Sequence, residues 1–200
     1  MIEVACKHAG EYPVLELNDS NLRDESLPLA FFYHGWEGCK EKVLTQGYEI
    51  AKRGFRVVIP DAQYHGERMV GGPAKTHFLE FWQIIADSVA EFPKIVDYYE
   101  ETTGIKDDFV GVSGLSMGGI TTCALMASYD WISSAVCLMG SPCPVEFAKK
   151  MKITLKRRLL RRRKRPCTRS HMKRRLRWLK NLLNITKTDK RGRSNVRTYE

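Results

Sequence analysis

FVGVSGLSMGGITTCALMAS, residues 109–128, decides the fold. It opens on a short apolar run, Phe109–Ser113, of the kind that forms a buried strand. It closes on Gly118–Ser128, rich in Ala, Thr and Met, which reads as a helix. Between them Gly114-Leu115-Ser116-Met117-Gly118 is G-x-S-x-G, at the strand-to-helix junction that gives the pattern its meaning. A sharp turn there holds the serine in a strained backbone geometry, so its neighbours must be small. Gly114 and Gly118 let adjacent chain pass closely. The turn lifts Ser116 Oγ to the carboxyl end of the sheet. The helix behind it aims N–H groups and positive dipole at developing negative charge. Without the flanking elements the same residues would be a Gly-rich turn with an incidental serine.

Working outward, strand and helix patterns alternate. Leu29–Tyr33 is an apolar run that stops at His34-Gly35, and Phe55–Ile59 is a β-branched run that stops at Pro60. Residues 39–53 between them form a helical stretch with Gly54 as its C-terminal cap. From His77 to Thr103, apolar residues recur at three- and four-residue steps from Phe78 to Tyr99, on one helical face. Pro93 should kink or split that helix. Ser134–Met139 is a further strand, and Tyr12–Leu17 alternates weakly as an edge strand. Short apolar strands separated by helices predict an α/β fold, a doubly wound, mainly parallel sheet with helices on both faces.

Tyr33-His34-Gly35-Trp36 ends an earlier strand and would lie beside the serine turn in such a sheet. A backbone N–H of this loop can form half of an oxyanion hole, with the Met117 N–H as the other half. Taken alone, the stretch is a strand end with a buried histidine. Together, FFYHGW, RGFRVVIPDAQYHGER, VGVSGLSMGGITTCALMASYD and LMGSP resemble the α/β-hydrolase superfamily. More narrowly they are similar to small bacterial esterases near the dienelactone-hydrolase and prolyl-oligopeptidase-like branch. The resemblance covers nearly all of residues 12–148. It implies a serine carboxylesterase acting on a small ester, with Ser116 as nucleophile and Trp36 and Met117 as oxyanion-hole donors. It also implies that His65, Gly66, Glu67 and Arg68 lie on a loop near the substrate entrance. The bland alternative for that loop is a solvated turn with a Glu67–Arg68 pair. No cofactor and no metal is implied.

A serine hydroxyl needs a histidine base, and the histidine needs a carboxylate. In this superfamily the order is Ser, then Asp or Glu, then His. Downstream of Ser116 stand Asp130, Glu146, His171, Asp189 and Glu200. Asp130 comes too early, and His171 precedes Asp189. His34 and His65 precede the serine, and the family pattern gives neither the role of base. The triad Asp and His are therefore expected to be missing and the activity crippled.

Charge marks where the pattern stops. Residues 1–148 carry 11 Lys/Arg and 21 Asp/Glu, a sum of −10. Residues 149–200 carry 22 Lys/Arg and two acids, a sum of +20. The expected organisation is a partial α/β-hydrolase domain over 1–148 and a basic tail over 149–200. At most the tail holds an amphipathic helix, with Met172, Leu176, Leu179 and Leu183 at helical spacing. Residues 186–200 are expected to be disordered. A frameshift that truncates the hydrolase pattern near Lys149 would explain the seam. A genuine basic extension is the rival, and it would make the chain a non-catalytic hydrolase-like protein whose tail binds nucleic acid or an anionic membrane.

The N-terminus has neither the basic nor the apolar region of a signal peptide, and no stretch is long and apolar enough to span a bilayer. The six cysteines form no C-x-x-C pair, and their spacing indicates neither a disulfide framework nor zinc. Cys137 and Cys143 flank a strand end as small packing residues. These features fit a reduced cytoplasm.

Overall fold

The computed structural model describes residues 1–143. The expected basic tail, with its amphipathic helix and His171, lies outside the described residues. Among the described residues six strands form one sheet: β1 Ile2–Ala9, β2 Tyr12–Asp19, β3 Leu27–Tyr33, β4 Arg56–Pro60, β5 Ile105–Leu115 and β6 Ser134–Leu138. Their order is β1-β2-β4-β3-β5-β6. The β4-β3-β5-β6 part is parallel, and the β1–β2 hairpin joins β4 antiparallel. Helices α1 Leu44–Ala51, α2 Phe81–Thr103 and α3 Met117–Ser128 make the crossovers.

The helices cover both faces. One face packs Leu15, Leu17, Phe32, Val57 and Ile59 with Val43 and Ala51 of the α1 region. The other packs Leu29, Phe31, Val58 and Val112 against Phe92, Ile95 and Tyr99 of α2 and Leu125 of α3. This double cover is why β2 to β4 are apolar along nearly their whole length.

Three expectations change in detail. Tyr12–Leu17 is not an edge strand. It is the core of β2, buried between β4 and β1, a strand that the mixed sequence IEVACKHA does not announce. Residues 39–53 divide into a 3-10 turn, Lys40–Val43, and α1. Pro93 does not split α2, which runs unbroken from Phe81 to Thr103. A proline at 93 leaves the Val89 carbonyl without its helical N–H, and the Tyr129 hydroxyl donates to that carbonyl at 3.0 Å instead.

Among the described residues β6 is the last strand on its side of the sheet. Val136 and Leu138 on it are exposed, at 52% and 39%, and so is Met139, which follows it. No helix among the described residues is long and apolar enough to cross a membrane.

Candidate active site

Ser116 sits alone between β5 and α3, with φ 57° and ψ −109°. That left-handed backbone is costly for a residue with a Cβ and persists only where its surroundings enforce it. Two hydrogen bonds and two close backbone approaches do so. The Ser116 N–H donates to the Leu138 carbonyl at 2.8 Å, and its carbonyl accepts from Ile120 at 3.0 Å. A Cβ on Gly114 would stand 2.4 Å from the Gly118 backbone. A Cβ on Gly118 would stand 2.1 Å from the Tyr33 carbonyl oxygen and 2.8 Å from that of His34. The two glycines of the motif are thus filled by each other and by the end of β3.

The His34-Gly35-Trp36 loop passes directly beside this turn. A Cβ on Gly35 would lie 3.6 Å from the Ser116 Cβ. Met117 is the first residue of α3, so its N–H has no carbonyl partner within the helix. Among the described residues, neither the Trp36 N–H nor the Met117 N–H donates to any group. The Trp36 ring packs edge-on against His65 and Phe78 and tilts against Phe81, with centroids 5.2, 6.1 and 5.4 Å away.

The two histidines of the site are structural in their hydrogen bonding. His34 is buried. Its Nδ1 lies 2.9 Å from the Gly35 carbonyl, and its Nε2 accepts from the Ala62 N–H at 3.1 Å. His65 repeats the arrangement, with Nδ1 2.8 Å from the Gln63 carbonyl and Nε2 accepting from the Glu37 N–H at 3.3 Å. Each ring is fixed as the Nδ1–H tautomer by this pairing. No hydrogen bond joins Ser116 Oγ to a histidine among the described residues.

Burial pulls the His34 pKa down to about 4, against a partial lift from the Gly35 carbonyl. Burial also holds His65 below the ordinary histidine range. The unfolded chain therefore binds more protons than the native one between an unfolded histidine pKa of about 6.5 and the native values. The His34 contribution is full above about pH 6.5 and falls as pH drops toward 4, by up to roughly 1.4 kcal/mol per pH unit, and His65 acts in the same direction. Urea midpoints measured from pH 7.5 to 4.5 should decline, and His34→Gln should flatten part of the slope. A slope unchanged in the variant would mean that other groups carry it.

Asp61 and Lys40 organise the loop after β4; the resemblance marks Asp61 as the head of the Asp61-to-Arg68 segment, and nothing in the sequence marks Lys40. Both side chains are fully buried. Asp61 accepts from the Lys40 N–H at 2.9 Å, from Lys40 Nζ at 2.9 Å and from the Glu67 N–H at 3.1 Å. Lys40 Nζ also reaches Glu67 and Glu41, at 2.5 and 2.9 Å. Burial alone would lower the pKa of this ammonium, but the three carboxylates outweigh it and hold it above the ordinary lysine range. Gly66 has φ +51°, and a Cβ there would meet the Asp61 carboxylate at 2.2 Å, so the loop wraps that carboxylate.

Arg68 donates to both oxygens of Glu91 at 2.7 Å, to Gln63 at 2.6 Å and to the Asp61 carbonyl at 3.1 Å. The segment is therefore neither a solvated turn nor built on a Glu67–Arg68 pair. Glu67 belongs to Lys40, and Arg68 belongs to Glu91. Asp61 heads the stretch that carries the resemblance, which was its only signal. Lys40 had none, because nothing local distinguishes a buried lysine from a surface one.

The model of the α/β hydrolase fold matches residues 30–189, a range that extends past Lys149. The chain belongs to the α/β-hydrolase fold family. Two curated members of similar sequence are "Putative esterase YitV" of Bacillus subtilis (strain 168) and "Esterase YjfP" of Escherichia coli (strain K12). The first is 36% identical over 146 residues, which are 73% of this chain and 57% of the relative. The second is 32% identical over 141 residues, 70% of this chain and 56% of the relative. This α/β hydrolase thus spans little more than half the length of either. A crystal structure described as a putative dienelactone hydrolase of Klebsiella pneumoniae shares the fold with a TM-score of 0.56 at 20% identity. That likeness covers 70% of this chain and 61% of the other.

Proposed function

We propose that this chain carries the nucleophile side of a serine carboxylesterase site, with Ser116 attacking the carbonyl of a small ester. One observation carries the reading: Ser116 occupies a left-handed turn between a strand and a helix, enforced by Gly114 and Gly118. Attack would place negative charge on the carbonyl oxygen. The unengaged N–H groups of Trp36 and Met117 would receive that charge at the α3 N-terminus. Collapse would expel the alcohol and leave an acyl group on Ser116, which water then removes. The His34, His65, Glu67 and Arg68 loop would shape the entrance by fixing the Trp36 ring. The names of the two relatives supply the substrate class.

The chain is proposed to be slow. His34 and His65 spend both ring nitrogens on backbone groups, so neither is placed to take the Ser116 proton. In a serine site without its base, the oxyanion hole and binding still leave a rate on the order of 10³–10⁴ over water. The test is hydrolysis of p-nitrophenyl acetate by the full chain. A weak, saturable rate above buffer is expected. A rate equal to buffer would remove the enzymatic reading and leave a non-catalytic hydrolase-like protein.

A further inference from the structure

Two cysteines flank the serine turn on the elements that hold it, and neither has a part in the chemistry above. Cys123 lies on α3 and Cys137 on β6, and both are free thiols. Three placements bring them together. First, Ala135 of β6 packs into the core cluster that contains Leu125 of α3. Strand alternation then puts Cys137 on that same α3-facing side. Second, Cys123 lies four residues after Gly119 and shares its helical face. Gly119 is the point of closest approach, since a Cβ there would stand 2.8 Å from the Leu138 carbonyl oxygen and 3.0 Å from Gly140. Third, the Cys137 sulfur reaches into this contact, 2.5 Å from where a Cβ on Gly140 would be. Burial pushes the Cys123 thiol up to about 11, and a hydrogen bond with the Cys137 thiol adds to the shift. Cys137 is exposed, while Cys123 is half-buried behind it.

We propose that Cys123 and Cys137 form a reversible redox pair that closes to a disulfide and staples α3 to β6 behind Ser116. The oxidant is a small organic disulfide such as glutathione disulfide. The exposed Cys137 thiolate attacks one sulfur of the oxidant, its proton going to solvent, and expels the first glutathione thiolate. Cys123 then loses its proton and attacks the Cys137 sulfur of the mixed disulfide, expelling the second glutathione thiolate. The two cysteines lose two electrons and two protons, and the oxidant becomes two thiols. The linked elements are those whose hydrogen bond, from the Ser116 N–H to the Leu138 carbonyl, enforces the turn. The oxidised state would lock that bond in place. A transient pair of this kind suits a compartment that keeps structural cysteines reduced.

The experiment incubates the full-length chain with excess glutathione disulfide at about pH 8.5, near the ordinary cysteine pKa. It is quenched in acid, denatured, and its remaining thiols are counted. Chymotryptic peptides are then mapped without reduction. Cleavage after Leu125, Tyr129 and Trp131 separates the two cysteines. The thiol count should fall from six to four, and the peptide holding Cys123 should be joined to the peptide holding Cys137. Dithiothreitol should restore six. Cys123→Ser and Cys137→Ser should each abolish the link, while Cys143→Ser should keep it. A stable glutathione adduct on Cys137 without closure would overturn the proposal. So would a bond from Cys137 to Cys143, or a count that stays at six.

Discussion

Gly118→Ala is expected to lower the melting temperature by roughly 6–12 °C, from a cost of about 3 kcal/mol at a few degrees per kcal/mol. The added methyl would meet the Tyr33 carbonyl oxygen at 2.1 Å, the Tyr33 carbonyl carbon at 2.5 Å and the His34 carbonyl oxygen at 2.8 Å. All three are backbone atoms, so no side chain can rotate away. Relief requires α3 to move off β3 or the His34-Gly35-Trp36 loop to move off the serine turn. Either shift separates the Trp36 and Met117 N–H groups, so the proposed ester hydrolysis should fall with stability. Gly10→Ala is the control. Gly10 also has a positive φ, +62°, but nothing lies within 4 Å of its would-be Cβ. It should lose only the roughly 1 kcal/mol of a strained backbone. If both variants melt alike, the close approach at Gly118 is not what holds the turn.

Lys40→Met is expected to cost about 3–5 kcal/mol, the range for removing one partner of a buried ion pair. Asp61 would keep the Lys40 and Glu67 backbone N–H groups but lose its cation while its side chain stays fully buried. Glu67 and Glu41 are half-exposed and can turn to solvent, so the loss concentrates on Asp61. Asp61→Asn in the same chain removes the stranded charge and should recover a substantial part of the stability. A denaturant series on the two single variants and the double gives the coupling directly. A single variant within 1 kcal/mol of the parent would mean that the pair is not desolvated as the geometry indicates.

The parts of this molecule that sequence reveals are those where local pattern and tertiary role agree. The G-x-S-x-G turn is legible because a strand, a tight turn and a helix each need the residues present around Ser116. β3 and β4 are legible because both faces are buried, which makes them continuously apolar. β1 is not, since Ile2–Ala9 is the outer strand of a hairpin and is exposed enough on both faces to admit Lys7 on one and His8 on the other. The rescue of Pro93 depends on Tyr129, 36 residues away, and no local rule links them. The Lys40–Asp61–Glu67 cluster fails for the same reason. Buried charge is defined by partners that sequence does not place. The resemblance put His65 and its neighbours near the site, but only the structure shows both ring nitrogens of His34 and His65 spent on backbone groups.

The most direct measurement is covalent capture of the proposed nucleophile, Ser116. The full chain is incubated with excess fluorophosphonate, and the adduct is located by peptide mapping while its rate is followed from pH 6 to 10. Ser116 should be the sole labelled residue. Labelling should be slow and should rise with hydroxide rather than level off at a histidine pKa, because no base among the described residues is hydrogen-bonded to the serine. Ser116→Ala should remove the adduct. An adduct at another residue, or none at Ser116, would contradict the assignment of the nucleophile. Fast labelling with a plateau near neutral pH would contradict the proposal that the site works without a histidine base.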